Sequence, residues 1–146
     1  MLENKKILVI DDQLFLHNLL KITFQKNKMI YIGAFNATDA LIQARTELPD
    51  IIILDIMMPD INGLDLLQKF KNEQILKKIP VVILSGKNDK ETKKLAMANG
   101  AIGFISKPIL PNDLIVLIKT FLLESELLNA PNPEYALKKI QLIRND

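Results

Sequence analysis

The sequence contains no cysteine and one histidine, His17, among its 146 residues. Without cysteine there are no disulfides, thiolate metal sites or cysteine nucleophiles, and a reducing cytoplasm is the default compartment. One histidine cannot build a histidine-rich metal centre. No apolar run approaches the roughly 18–20 residues that cross a bilayer. The N-terminal stretch from Met1 to Lys6 leads into a short apolar run that ends in two aspartates, which is not a signal peptide. A cytoplasmic protein with no membrane partner is expected. A strong charge of one sign is also lacking: 19 basic and 17 acidic residues give +2, too little to imply nucleic acid.

What is present is a core. Hydrophobic residues make up 49% and charged residues 25%, enough for one ordinary domain and not for disorder. Four short runs, Ile7–Ile10, Ile51–Leu54, Val81–Leu84 and Ile102–Ile105, are apolar without alternation and rich in β-branched side chains. That pattern marks strands covered on both faces. Ile30–Ala34 fits a more exposed strand.

Helical spacing fills the gaps. Leu16, Leu19, Leu20 and Phe24 form a stripe over 13–27, and Ala40, Leu41 and Ala44 form one over 37–47. Leu64, Leu67 and Phe70 mark 63–72; Leu95, Ala96 and Ala98 mark 89–99, with Gly100 as a stop. Leu114, Leu117, Ile118 and Phe121 mark 112–124, with Pro111 near the helix start.

Strand then helix, five times over, predicts an α/β fold: a flavodoxin-like (βα)5 doubly wound domain with a five-stranded parallel sheet. Its expected strand order is 2-1-3-4-5, with ligands at the β1/β3 switch point. The folded domain is expected over 1–124, with 125–146 as a helical tail or linker. Ala130-Pro-Asn-Pro133 breaks the last helix, and 134–144 reads as an extra C-terminal helix carrying Leu137, Ile140 and Leu142 or Ile143. That helix either folds back on the domain, dimerises, or begins a linker.

The chemistry sits where strands end. The first runs into Asp11-Asp12, the third into Asp55 and the fourth into Ser85; Lys107-Pro108 follows the fifth. Asp11-Asp12 alone could be a helix cap. Three carboxylates at one switch point are costly without a cation, because like charges raise one another's pKa. A hard cation with oxygen ligands resolves this, and Mg²⁺ keeps waters that a phosphoryl oxygen can replace. Three carboxylates against Mg²⁺ and Lys107 leave the resting site near neutral. A phosphoryl group on Asp55 makes it about −1, so donors such as Ser85 become useful. Phosphoryl transfer needs mainly positioning and charge neutralisation, and a carboxylate can be the nucleophile.

In order along the chain, Asp11-Asp12, Asp55-Ile-Met-Met-Pro-Asp-Ile-Asn-Gly63, Ser85-Gly86 and Lys107-Pro108 resemble the response-regulator receiver family over residues 5–124. The resemblance implies that Asp55 is the phosphoacceptor. It implies that Asp11 and Asp12 join Asp55 in holding Mg²⁺, with the Met57 backbone carbonyl completing the protein ligands. It further implies that Lys107 binds the phosphoryl group, that the Lys107-Pro108 bond is cis, and that Ser85 and Phe104 form a hydroxyl–aromatic switch. The domain would signal without being a turnover enzyme, though it would take part in its own phosphorylation and dephosphorylation. Partners implied are a histidine kinase or histidine phosphotransfer protein and a downstream protein target on the α4-β5-α5 surface, with the chain a monomer or a phosphorylation-dependent dimer.

Some positions depart from the pattern or carry a plainer reading. Position 104 is Phe where the family often has Tyr, so no phenolic hydrogen bond is available, and a simple core aromatic is the alternative. Met57 and Lys87 stand where receivers tune phosphoryl lifetime. Lys90, Lys93 and Lys94 share a helix face that is either solvated or faces an acidic partner. His17 is expected to be exposed or kinase-facing. Asn62 is expected to cap the third helix, and Gly63 to let backbone pass close by. Two other readings remain: a receiver cut from a longer regulator with an output domain, and an FMN-binding flavodoxin-like carrier. The acidic Asp11-Asp12 loop would repel the FMN phosphate. A haloacid-dehalogenase-like phosphatase needs an Asp-x-Asp loop, which Asp11-Asp12-Gln13 does not supply.

Overall fold

Three of the four unbroken apolar runs become the central strands of the sheet, with both faces covered; the fourth, Ile102–Ile105, falls at an edge and is only partly covered. A computed structural model describes residues 2–129, together with 132, 134 and 138. The elements are β1 (Lys6–Ile10), α1 (Leu14–Lys26), β2 (Ile30–Ala34), α2 (Ala37–Glu47), β3 (Ile51–Leu54), α3 (Gly63–Asn72), β4 (Val81–Ser85), α4 (Lys90–Ala98), β5 (Gly103–Ser106) and α5 (Pro111–Leu128). All strand pairs are parallel, in the order β2-β1-β3-β4-β5. The flavodoxin-like topology expected from the sequence is the one observed.

Successive strand side chains point to opposite faces, and this splits the core in two. Leu8, Ile10, Ile52, Leu54 and Ile83 pack with Ala40, Leu67, Phe70 and Ala96 of α2, α3 and α4. Ile7, Val9, Ile53, Val82 and Leu84 pack with Phe24 of α1 and Leu114, Ile118 and Leu122 of α5. The flanking strands β2 and β5 are less buried, as edge strands must be.

Helix ends follow local chemistry. Asn36, Asn62 and Asp89 accept hydrogen bonds from first-turn amides of α2, α3 and α4. Gly100, at φ +102°, ends α4 in the left-handed conformation, and Ala101 N–H reaches back to the Ala96 carbonyl at 3.1 Å. Three differences from the sequence pattern stand out. β5 starts at Gly103, leaving Ile102 outside the strand and partly exposed. Leu95 and Ala98 lie on the outer side of α4, and Ala96 and Thr92 supply its buried face, because so short a helix at the sheet's rim covers little of it. α5 runs to Leu128 instead of stopping near 124, its last turns held by a Lys5–Glu126 ion pair at 2.6 Å. The helix expected over 134–144 lies outside the described residues apart from 134 and 138.

Candidate functional site

Hydrogen bonding continues past the strand ends and fixes the acidic residues in place. Asp11 N–H donates to the Ala34 carbonyl at 3.2 Å, Asp55 N–H to the Ile10 carbonyl at 2.9 Å, and Lys107 N–H to the Ser85 carbonyl at 3.0 Å. Each residue therefore sits one step beyond its strand at the carboxyl edge of the sheet, where open α/β folds bind ligands.

The structure brings Asp11, Asp12 and Asp55 together: one carboxylate oxygen from each lies within 4.8 Å of the other two. Asp11 and Asp55 are buried and Asp12 is exposed. Lys107 Nζ is 2.7 Å from Asp11 Oδ2 and 3.6 Å from Asp55 Oδ2. Asp11 Oδ1 accepts from Gln13 N–H at 2.9 Å, and Asp55 Oδ1 accepts from Met57 N–H at 3.2 Å. Three oxygen donors with one edge open to water suit a small hard dication better than a soft or nitrogen-seeking metal.

Burial pushes the Asp55 carboxyl above its ordinary range. The Lys107 ammonium opposes this, the Asp11 charge adds to it, and the Met57 N–H and the Ser85 hydroxyl oppose it. A carboxylate in this position is poorly solvated, which favours its use as a nucleophile once a counter-charge is at hand.

Ser85 is fully buried at the end of β4, and its Oγ accepts from Lys87 N–H at 3.2 Å. Phe104 is half-buried on β5 beside Ile83, with Lys93 Nζ 5.7 Å from its ring centre. Met57 is 62% exposed. Its side chain helps line an open groove of about 460 Å³ with Ile56, Pro59, Asn62 and Lys87, next to Asp55. The Lys107–Pro108 peptide is cis.

The loop from Asp55 to Gly63 is closed on itself. Met57 and Asn62 form an antiparallel bridge, and Gly63 N–H donates to the Ile56 carbonyl at 2.8 Å. A Cβ at Gly63 would collide with the Asp55 carbonyl and lie 2.6 Å from Ile56 Cα, so the residue is glycine for want of space. Asp60, not singled out in the sequence, reaches across to accept from Ala37 N–H at 2.8 Å.

His17 corrects an expectation. It is buried, 2% exposed, and not a surface residue. Its face of α1 also carries Leu20 and Phe24, three and seven residues on, and its ring hydrogen-bonds the Asp11 carbonyl and the Tyr31 hydroxyl. The helical spacing contained this signal; the partner on β2 is what local pattern does not reveal.

The response regulator receiver domain profile matches residues 7–119. The chain is 32% identical over 131 residues to the alkaline phosphatase synthesis transcriptional regulatory protein PhoP of Bacillus subtilis, covering 90% of this chain and 53% of that protein. It is 29% identical over 115 residues to the phosphate regulon transcriptional regulatory protein PhoB of Escherichia coli, covering 79% and 50%. The chain thus spans about half the length of these curated relatives. Among solved structures, a CheY-like receiver domain protein from Methanospirillum hungatei superposes with a TM-score of 0.79 at 27% identity, over 85% of this chain and 98% of that one. The receiver domain of Francisella response regulator 1452 gives 0.75 at 30%, over 82% and 97%.

Proposed function

The chain belongs to the response regulator receiver domain family of two-component signalling, and from that premise we propose that it accepts a phosphoryl group on Asp55 from a phosphohistidine donor in a Mg²⁺-dependent reaction. The observation that carries this reading is the gathering of Asp11, Asp12 and Asp55 around a common point with Lys107 on its rim. The donor set fits the cation: Asp11, Asp12, Asp55 and the Met57 carbonyl would hold Mg²⁺. When bound, it neutralises charge on the phosphoryl oxygens.

The residues divide the work. An Asp55 carboxylate oxygen attacks phosphorus, the phosphorus–nitrogen bond of the donor imidazole breaks, and the imidazole keeps the bonding electrons. The open groove lined by Ile56, Met57 and Lys87, next in sequence to Asp55, would give the donor a place to dock. Lys107 pairs with the incoming phosphoryl oxygens, exchanging its contact with Asp55 for one of higher charge. Ser85 Oγ donates to another phosphoryl oxygen. Attack of water on phosphorus returns the carboxylate and inorganic phosphate.

Drawing Ser85 toward phosphorus changes its contact with the Lys87 amide and the space beside Phe104, which biases the α4-β5-α5 surface between two arrangements. That surface is where a downstream protein would read the state, in a cytoplasmic setting. No described helix is long and apolar enough to cross a membrane.

A second reading makes the chain the receiver portion of a longer regulator. The half-length coverage of relatives that are called transcriptional regulatory proteins favours it, and the mass of the full gene product tests it. The phosphoacceptor reading is tested by beryllofluoride binding or phosphotransfer with Mg²⁺. Wild type should take up the label and Asp55→Asn should not; equal uptake would move the acceptor elsewhere.

A further inference from the structure

The buried imidazole behind the acidic pair is not used by the chemistry above. His17 Nε2 lies 2.7 Å from the Asp11 carbonyl oxygen. A carbonyl only accepts, so Nε2 carries the proton. Nδ1 meets the Tyr31 hydroxyl, which, with one proton on the ring, is the group that donates there. Phe35 lies against the imidazole with ring centres 4.0 Å apart and the planes tilted by 33°. The Asp11 carbonyl sets the tautomer, Tyr31 anchors Nδ1, and Phe35 packs against the ring face.

Space for this arrangement is built into β2. Tyr31 and Gly33 point to the same face, two residues apart. A Cβ at Gly33 would collide with the Tyr31 ring and lie 3.1 Å from His17 Nδ1. Glycine at 33 lets the phenol fold over its own strand to reach His17.

The carbonyl so held belongs to the Asp11–Asp12 peptide. Asp11 N–H is already fixed on the Ala34 carbonyl. Fixing the following carbonyl sets the plane of that peptide, and with it the directions in which the Asp11 and Asp12 side chains leave the backbone. We propose that His17 is a positioning residue for the cation site: held by Tyr31 over Gly33, it locks the Asp11–Asp12 peptide so that both carboxylates face Asp55. This rests on the assignment of those carboxylates to Mg²⁺. Outer partners of metal ligands are worth about 10–100-fold in affinity.

The test is Mg²⁺ titration of the full chain by calorimetry, with imidazole ¹⁵N shifts recorded alongside. Wild type should show a protonated Nε2 and an unprotonated Nδ1. Tyr31→Phe, which removes one oxygen, should shift the Nδ1 resonance through loss of its hydrogen bond, leave the ring less firmly held, and bind Mg²⁺ about tenfold more weakly. His17→Leu should lose at least as much. His17→Gln, whose amide N–H can reach the Asp11 carbonyl, should recover most of the affinity; mere loss of packing would not be rescued this way. If His17→Leu fails to fold, Tyr31→Phe and His17→Gln carry the test. Wild-type affinity in Tyr31→Phe and in every folded His17 variant would overturn the positioning role while leaving the cation site intact. A wild type that binds no Mg²⁺ would overturn both.

Discussion

Lys107 Nζ lies 2.7 Å from Asp11 Oδ2 although the two residues are 96 positions apart in the chain. The contact joins the loop after β5 to the end of β1 across the intervening strands, and it puts an ammonium beside two buried carboxylates.

Lys107→Ala should destabilise the resting fold, because Asp11 and Asp55 would then face each other without a counter-charge. A pair with 21% and 2% exposed side chains should cost about 2 kcal/mol, below the roughly 3–5 of a fully dry pair. Urea denaturation checks this. Mg²⁺ should stabilise the variant more than wild type, since it replaces the missing positive charge; equal stabilisation of both would contradict that charge balance.

Asp55→Asn should do the opposite. Burial holds the folded Asp55 carboxyl above its ordinary value of 3.8. Its contribution to stability is therefore fully present below about pH 3.8 and is lost as pH rises through the higher folded value. At neutral pH the ionised group is a net cost. The amide should make the folded state more stable by about 0.5–2 kcal/mol, with the gap closing in acid. A midpoint at pH 7 no higher than wild type would refute this.

The site was legible in the sequence because its residues sit at strand ends, where local pattern is strongest. The β1, β3 and β4 runs placed Asp11, Asp55 and Ser85 directly, and Asn62 and Gly63 were readable as a cap and a close approach. What escaped was long-range. His17 looks like a surface residue until Tyr31 is brought over from β2, and Asp60 looks like loop polarity until Ala37 lies beneath it. α4 misled because its Leu95–Ala98 stripe reads as a core face, whereas burial is set by how little sheet remains beside it.

Asp12→Asn should leave stability nearly unchanged without metal, since Asp12 is exposed. It should cut the rise in melting temperature that Mg²⁺ produces. At a concentration 100 times the dissociation constant a bound ion adds about 2.7 kcal/mol. Thermal denaturation with and without Mg²⁺ reads the difference, and an undiminished rise in the variant would remove Asp12 from the ligand set.

Gly63→Ala should be among the most damaging single-methyl additions. The new Cβ meets backbone atoms of Asp55 and Ile56 rather than a movable side chain. The usual cost of overpacking is about 1–3 kcal/mol. Phosphoryl uptake should fall as well, because relief of the clash displaces Asp55 itself. A variant with wild-type melting and wild-type uptake would show that the loop yields.

The double closure of that loop, by the Met57–Asn62 bridge and the Gly63–Ile56 hydrogen bond, gives the acidic edge a stiff wall on one flank. The opposite flank has no such closed loop: Ser85 meets the Lys87 N–H, Lys107 reaches Asp11 and Asp55, and Phe104 is only half-buried. If Asp55 takes up a phosphoryl group as proposed, the strain would meet that wall and pass more readily to the other side. The anvil would stay still while the β4–β5 side moved, and the geometry of the turn after β3 would then decide which way the message leaves.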